Sequence, residues 1–278
     1  MMSKKERLDV LLVERGLMDS REKAKRSIMA GLIFSNEERL DKPGEKVSVD
    51  IPLTVKGAEH PYVSRGGLKL EKAIEVFGIS FNGKLLVDIG SSTGGFTDCA
   101  LQNGARGSYA VDVGYNQLAW KLRQDNRVVV MERTNFRYAK PLDFAEGLPD
   151  VASIDVSFIS LKIILPVLKS ILIQKGHVIA LVKPQFEAGR DSVGKKGIVR
   201  EKKTHVEVLN DITTFSSSIG FDCVNLTFSP ITGGEGNIEF LLHLKWEGKE
   251  EGDIILPTSI DKVVTDAHLQ LKKSREQE

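Results

Sequence analysis

From about Lys84 to Trp246, short apolar runs alternate with helical stretches, and this constrains the fold more than any other feature of the chain. KLLVDIG, a helical stretch to about Gly104, GSYAVDVG, a short helix over QLAWKLRQD and RVVVMER follow one another. Then come VASIDVS (151–157), a helix over LKIILPVLKSIL, HVIALVKP (177–184), a long helix over about 201–219, and the runs CVNLTFS and NIEFLLHLKW. The runs are apolar throughout instead of alternating, as parallel strands covered on both faces must be. The pattern predicts a doubly wound α/β domain over 82–246. Only the PITGGEG loop separates the last two strands, too short for a crossover helix, so they are expected to pair antiparallel.

The flanks read differently. Residues 4–16 are predicted as a short helix with Leu8, Leu11 and Leu12 at helical spacing and Gly16 ending it. Ser20 is placed to cap a second helix, SREKAKRSIMAG, closed by Gly31. LIFS (32–35) and KVSVD (46–50) read as two strands of a small ribbon joined across Pro43-Gly44. The result is a small α+β domain over 1–60. Its second helix carries Arg21, Lys23, Lys25 and Arg26 against Glu22, which is either a solvated face or a phosphate-contacting stripe. Residues 61–81 form a linker and the start of the larger domain. After Trp246, residues 247–278 are expected to form a linker and an amphipathic helix with Ile260, Val263, Val264, Ala267 and Leu271 on one face.

Composition excludes several classes. The 39 basic and 38 acidic side chains leave a formal charge of +1, so the protein is no basic blanket, though a local basic patch remains open. The two cysteines, Cys99 and Cys223, lie far apart, which argues against a disulfide scaffold or zinc site and for a reducing compartment. The short apolar N-terminal segment is broken by Asp9 and Glu14, unlike a signal peptide, and no run approaches a membrane span. A cytoplasmic protein without stable membrane association is expected, and no metal site is indicated.

The first strand of the α/β domain ends in Asp88-Ile89-Gly90, followed by Ser91-Ser92-Thr93-Gly94-Gly95-Phe96. A glycine-rich turn there lets a ligand approach the backbone. It lacks Gly-Lys-Ser/Thr and the G-x-G-x-x-G order, so neither a P-loop nor a dinucleotide fingerprint is present. Asp112 ends the second strand about 20 residues on, where a carboxylate would take both ribose hydroxyls. Asp88 suits an ammonium or a bridging water, as S-adenosylmethionine would require and a pyrophosphate would not. A reversed last strand likewise characterises methyltransferase sheets and not nucleotide-dehydrogenase sheets.

Charged residues stand at strand ends where they are costly unless met by a ligand or an opposite charge. Asp155 lies in the fourth strand run, Lys183 ends the fifth, Glu239 sits beside Ile238-Phe240-Leu241, and Lys69 leads into the helix before the sheet. Each alone reads as a surface charge or a structural ion pair. Together, in the order lysine, aspartate, lysine, glutamate, they form a specific signal.

The motifs YVSRGGLKL, DIGSSTGGFTD, AVDVGYNQLAW, ERTNFR, DVSFISL, LVKPQFEAG and GNIEF, in this order and spacing, resemble the TlyA family of ribosomal RNA 2′-O-methyltransferases, whose catalytic domain is similar to FtsJ. The resemblance spans nearly all of residues 1–246. It implies a Rossmann-like S-adenosylmethionine-dependent methyltransferase sheet behind an alpha-L type RNA-binding module. It places the catalytic tetrad on Lys69, Asp155, Lys183 and Glu239. The donor site falls on Asp88, Gly90, Ser92, Gly94, Gly95, Phe96, Thr97, Asp112 and Asn135. The implied activity is methylation of cytidine ribose in large-subunit and, with a tail of the longer type, small-subunit ribosomal RNA. The partners are then ribosomal RNA and ribosomal subunits.

RNA contacts are expected at Arg21, Lys23, Lys25, Arg26 and Arg65, and at Arg190, Lys195 and Lys196 in a glycine-rich loop beside Lys183. Phe96, Phe158 and Trp120 are candidates to stack on adenine or on a flipped base, and Phe96 is expected near the donor. Lys183 is expected to orient or deprotonate the 2′-hydroxyl, with Asp155 and Glu239 holding the ammonium groups. Two other classes remain open at this point: a non-catalytic ribosome-binding or assembly factor, and a membrane-active haemolysin.

Overall fold

The computed structural model describes residues 5–18, 20–29, 31–36, 38–55, 60–189, 192–194 and 197–275 of the 278-residue chain. The chain divides into two compact units, 1–59 and 60–278.

In the first unit, β1 (Lys5–Arg7) leads into α1 (Leu8–Glu14), followed by α2 (Arg21–Met29), β2 (Ile33–Ser35), β3 (Glu38–Arg39), β4 (Lys46–Ser48) and β5 (Thr54–Val55). The helix expected from residue 4 starts at Leu8, because residues 5–7 pair antiparallel with β4. The expected ribbon also differs. β2 pairs with β3 and β5, and β4 pairs with β1, so LIFS and KVSVD belong to separate sheets. Asn36, directly after β2, takes a φ of 56°, and β2 pairs antiparallel with β3. Val47 of β4 joins Leu8, Leu12, Ala24, Ile28 and Ile33 in the core.

α2 opens with Ser20 accepting from the Lys23 N–H at 3.2 Å. Asp9 of α1 is fully buried and accepts from Arg7 Nε (2.9 Å) and Arg21 Nη2 (3.0 Å). The Arg7 hydrogen bond, with help from Arg21, holds its carboxyl down at about 2 against the opposing effect of burial.

The second unit is a seven-stranded sheet between two helical layers. Its elements are α3 (Gly66–Phe77), β6 (Leu85–Ile89), α4 (Gly95–Gln102), β7 (Gly107–Val111), α5 (Trp120–Arg123), β8 (Val128–Met131), β9 (Val151–Ile154), α6 (Leu161–Leu168), β10 (Gly176–Val182), α7 (Pro184–Glu187), α8 (Lys202–Ser218), β11 (Phe221–Phe228), β12 (Phe240–Trp246) and α9 (Ile260–Arg275). Strand order is β11-β12-β10-β9-β6-β7-β8. β12 runs antiparallel to both of its neighbours, and the other pairings are parallel.

Both faces are buried, which accounts for the continuously apolar strands. Val87, Tyr109, Ala152 and Val178 face a core with α6, α8 and α9; Leu86, Ala110, Val151 and Ile179 face one with α3 and α4. The tail after β12 has a defined place. The Cys223 N–H donates to Asp253 O (2.8 Å) and the Ile255 N–H to Cys223 O (3.0 Å), covering the edge strand β11. Val263, Val264, Ala267 and Leu271 of α9 enter the core.

Two histidine pairs lie within this unit. His177 Nδ1 meets His243 Nε2 between β10 and β12, and His205 Nδ1 meets His268 Nε2 between α8 and α9, each at 2.9 Å. Burial, reinforced by the partner ring, pushes His205 and His243 down to about 4. A histidine kept neutral in the fold contributes stability that is complete above about pH 6.5 and is lost as pH falls toward 4. The stability of the wild type is therefore expected to fall with pH across that window more steeply than that of His243→Leu, by up to about one proton. Equal slopes in thermal unfolding from pH 7 to 4 would contradict the pairing.

Candidate active site

An open cleft of about 380 Å³ lies at the carboxyl edge of the sheet, where doubly wound folds bind ligands, and it falls within the size range of ligand pockets. One wall is the turn between β6 and α4. Gly90 (φ 83°) is forced by its surroundings: a Cβ there would lie 2.5 Å from the Asp155 carbonyl oxygen. Gly95 opens α4 against the start of α3, and its Cβ would lie 2.3 Å from Ser64 Oγ. Gly94 caps α4 in the left-handed conformation, and Ser92 also takes a positive φ, of 48°.

The carboxylates flanking the turn hold it in shape. Asp88 accepts from the Thr97 N–H (3.0 Å), Thr97 Oγ1 (2.8 Å) and Ser153 Oγ (2.9 Å), and burial pushes its carboxyl up to about 6. Asp112 accepts from the Ser92 N–H (2.8 Å) and Gly114 N–H (2.6 Å) and stays half-buried, with lone pairs left over for hydroxyl donors. Thr97 does not reach the cleft. It is fully buried between Asp88 and Ser108, so its contribution is to the turn's framework. Asn135 caps a short 3-10 turn after β8, accepting from the Arg137 N–H (3.2 Å), and like Gly94 and Asp112 it is not among the lining residues. Phe96 is buried and lines the cleft.

The four charged residues come together in the same cleft. Lys69 Nζ lies 2.8 Å from Glu239 Oε2 and 3.4 Å from Asp155 Oδ2, and Lys183 Nζ lies 2.5 Å from Asp155 Oδ1. Lys183 also donates to Ser157 Oγ (3.2 Å), and Gln185 Nε2 to Glu239 Oε1 (3.4 Å). Lys69, Lys183 and Glu239 are all buried. Burial opposes the charge on Lys69, but Asp155 and Glu239 together outweigh it, so its ammonium is held above the ordinary lysine value. Burial would likewise raise Asp155, and the two lysines reverse this and hold it below the ordinary carboxylate value.

The lining also fits a nucleoside-bearing methyl donor: a turn that only glycine permits lets a ligand approach the backbone, and Asp88 and Asp155 stand among the lining residues.

Sequence reasoning missed several participants. Ser64, Ser157, Thr93 and the Ile231–Gly234 stretch line the cleft. The last lies in the PITGGEG loop, which read only as a connector, although its glycine pair was a signal: a Cβ on Gly233 would collide with the Glu239 carboxylate. Phe158 and Trp120 are 90% and 71% exposed and so are not core aromatics. Arg21 is engaged by Asp9, whereas Lys25, Arg26 and Arg65 are exposed, Arg65 at the lip of the cleft. Arg190, Lys195 and Lys196 lie outside the described residues.

Comparison with known proteins agrees with this layout. Residues 62–246 match the FtsJ-like methyltransferase family and residues 6–50 the S4 domain. The chain is 67% identical over 276 residues to the YqxC protein of Bacillus subtilis (strain 168), provisionally described as an rRNA methyltransferase, covering 99% of this chain and 98% of that one. It is 40% identical over 245 residues to the 16S/23S rRNA (cytidine-2′-O)-methyltransferase TlyA of Mycobacterium tuberculosis, covering 88% and 91%. A solved Streptococcus thermophilus structure, provisionally described as a hemolysin, shares 57% identity with a TM-score of 0.77 and covers 99% of this chain and 100% of that one.

The class is thereby set: an FtsJ-like methyltransferase with an S4 domain, the RNA-binding module, at its N-terminal end. Within that class the chain belongs to the TlyA family.

The Gly90 contact yields a direct test. Gly90→Ala is expected to weaken donor binding at least tenfold and to destabilise the protein by more than about 1 kcal/mol, because φ and contact both oppose a side chain. Unchanged donor affinity by calorimetry would contradict the close approach.

Proposed function

We propose that this protein methylates the ribose 2′-hydroxyl of cytidine in ribosomal RNA, of the large subunit and also of the small, with S-adenosylmethionine as donor. The observation that carries the reading is the Lys69–Asp155–Lys183–Glu239 cluster in the same cleft as the glycine turn. The TlyA proteins of Mycobacterium tuberculosis and Campylobacter jejuni, named for cytidine-2′-O transfer to 16S/23S and to 23S rRNA, support the substrate.

When bound, S-adenosylmethionine supplies a methyl group activated by its sulfonium charge. The chain's residues do the rest. A ribose hydroxyl is a poor nucleophile and must be held in line and relieved of its proton as attack proceeds. Asp155, pinned between two ammonium groups and held acidic, is a poor proton acceptor. Lys69, whose charge is reinforced by Asp155 and Glu239, stays an ammonium and fixes both carboxylates. Lys183, bonded to Ser157, is the group that orients the 2′-oxygen, and once its ammonium has released a proton to solvent its free amine takes the one that the hydroxyl loses. Asp88, Gly90, Ser92, Gly94, Gly95, Phe96 and Asp112 shape the donor side, with Thr97 and Asn135 supporting the loops behind it.

RNA is held by the S4 unit through Lys23, Lys25 and Arg26 of α2, with Arg21 shared with Asp9, and by Arg65 at the cleft. The exposed ring of Phe158, next to Ser157, is placed to stack on a base brought to the cleft. Among the described residues no helix is long and apolar enough to cross a membrane.

Lys183→Ala is expected to lower methyl transfer to isolated ribosomal subunits by at least 100-fold, while donor affinity changes less than about threefold. Transfer at the wild-type rate, measured with labelled donor, would overturn the assignment of Lys183.

A further inference from the structure

Resting on that reading, we propose that Glu187 is a positioning residue for methyl transfer, clamping together the two loops that carry Asp155, Ser157 and Lys183. β9 and β10 are parallel neighbours, and their chains emerge side by side at the cleft. The loop after β9 runs from Asp155 to Ser160, and the turn after β10 runs from Lys183 through α7 to Glu187. Three links join them. At the catalytic end Lys183 bonds Asp155 and Ser157. In the middle the rings of Phe158 and Phe186 lie 4.9 Å apart. At the far end Ser160 Oγ donates to Glu187 Oε2 (2.6 Å) and the Leu161 N–H to Glu187 Oε1 (2.8 Å).

The far link is the strong one. Both oxygens of Glu187 are used, and they satisfy backbone and side-chain donors at the start of α6, where helix N–H groups lack partners. Lys183 is held at its base by β10, but its reach across to Asp155 and Ser157 depends on where the neighbouring loop lies. That loop contains a residue that resists its own conformation: Phe158 takes a φ of 62°, rare for a bulky side chain, while 90% exposed. The Phe186 ring alone is a weak restraint on an exposed aromatic. The Glu187 carboxylate fixes Ser160 and Leu161, two and three residues on, and this closes the loop around Phe158 and sets the distance from Ser157 to Lys183. Glu187 itself touches neither tetrad nor cleft, so it acts through the residues it holds.

The clamp can be cut from either side. Glu187→Ala removes both bonds, and Ser160→Ala removes one of them together with the cap that Ser160 Oγ gives the Lys162 N–H (3.1 Å), without emptying the carboxylate's site. Glu187→Gln keeps an acceptor for the Leu161 N–H and an amide donor for Ser160 Oγ. Loop displacement on the scale of 1 Å is worth about 10²-fold in rate. Glu187→Ala is expected to lower kcat for labelled methyl transfer to ribosomal subunits 10- to 100-fold, and Ser160→Ala about threefold to tenfold, with Glu187→Gln recovering most of the rate. Donor affinity and binding stoichiometry by calorimetry stay at the wild-type level, and combining the two alanine substitutions adds little to Glu187→Ala alone.

A loss of donor-binding stoichiometry in proportion to the loss of rate, in both single variants, would make Glu187 a folding residue and overturn the proposal. So would full activity of Glu187→Ala. Absence of transfer by the wild type on either subunit would instead remove the functional reading, and the proposal with it.

Discussion

Asp155, held between Lys69 and Lys183, is the interaction on which the site depends. Two ammonium groups and two carboxylates meet at the sheet edge with little access to water, and the cluster is tolerable because the charges cancel. Removing one member leaves an uncompensated buried charge, so the four residues are coupled in stability as well as in chemistry.

Topology is what makes the meeting possible. Asp155 and Lys183 follow the ends of parallel strands β9 and β10. Glu239 precedes Phe240 at the start of β12, and a strand start reaches that same edge only if the strand runs the opposite way. Val182 pairs with Phe240, which places Glu239 level with Lys183. The reversed strand therefore delivers the fourth charge, and α3, leading in from the other side, delivers Lys69.

Much of this was legible in the sequence because burial on two faces leaves unbroken apolar runs, and because charged residues at the ends of such runs stand out. The Asp88 turn, the tetrad and the reversed last strand could all be read from those signals. The small unit was less legible, since three-residue strands carry no periodicity. The pairing of KVS with residues 5–7 is a long-range choice made by Val47 joining the Leu8 core. Thr97 sat in the right motif, but its hydroxyl turns inward to Asp88 and Ser108. Arg21 looked like its basic neighbours until Asp9, twelve residues away, was brought beneath it by the packing of α1 on α2. Glu187 gave no signal, because its partners Ser160 and Leu161 lie 27 and 26 residues away.

The central claim is that the cleft moves a methyl group to a ribose oxygen. The most direct measurement incubates the protein with labelled S-adenosylmethionine and unmodified ribosomal subunits, digests the RNA to nucleosides and identifies the labelled one. The account requires 2′-O-methylcytidine, with an alkali-resistant linkage at the modified position. Label on a base, or RNA that stays unlabelled while donor binds, would contradict it.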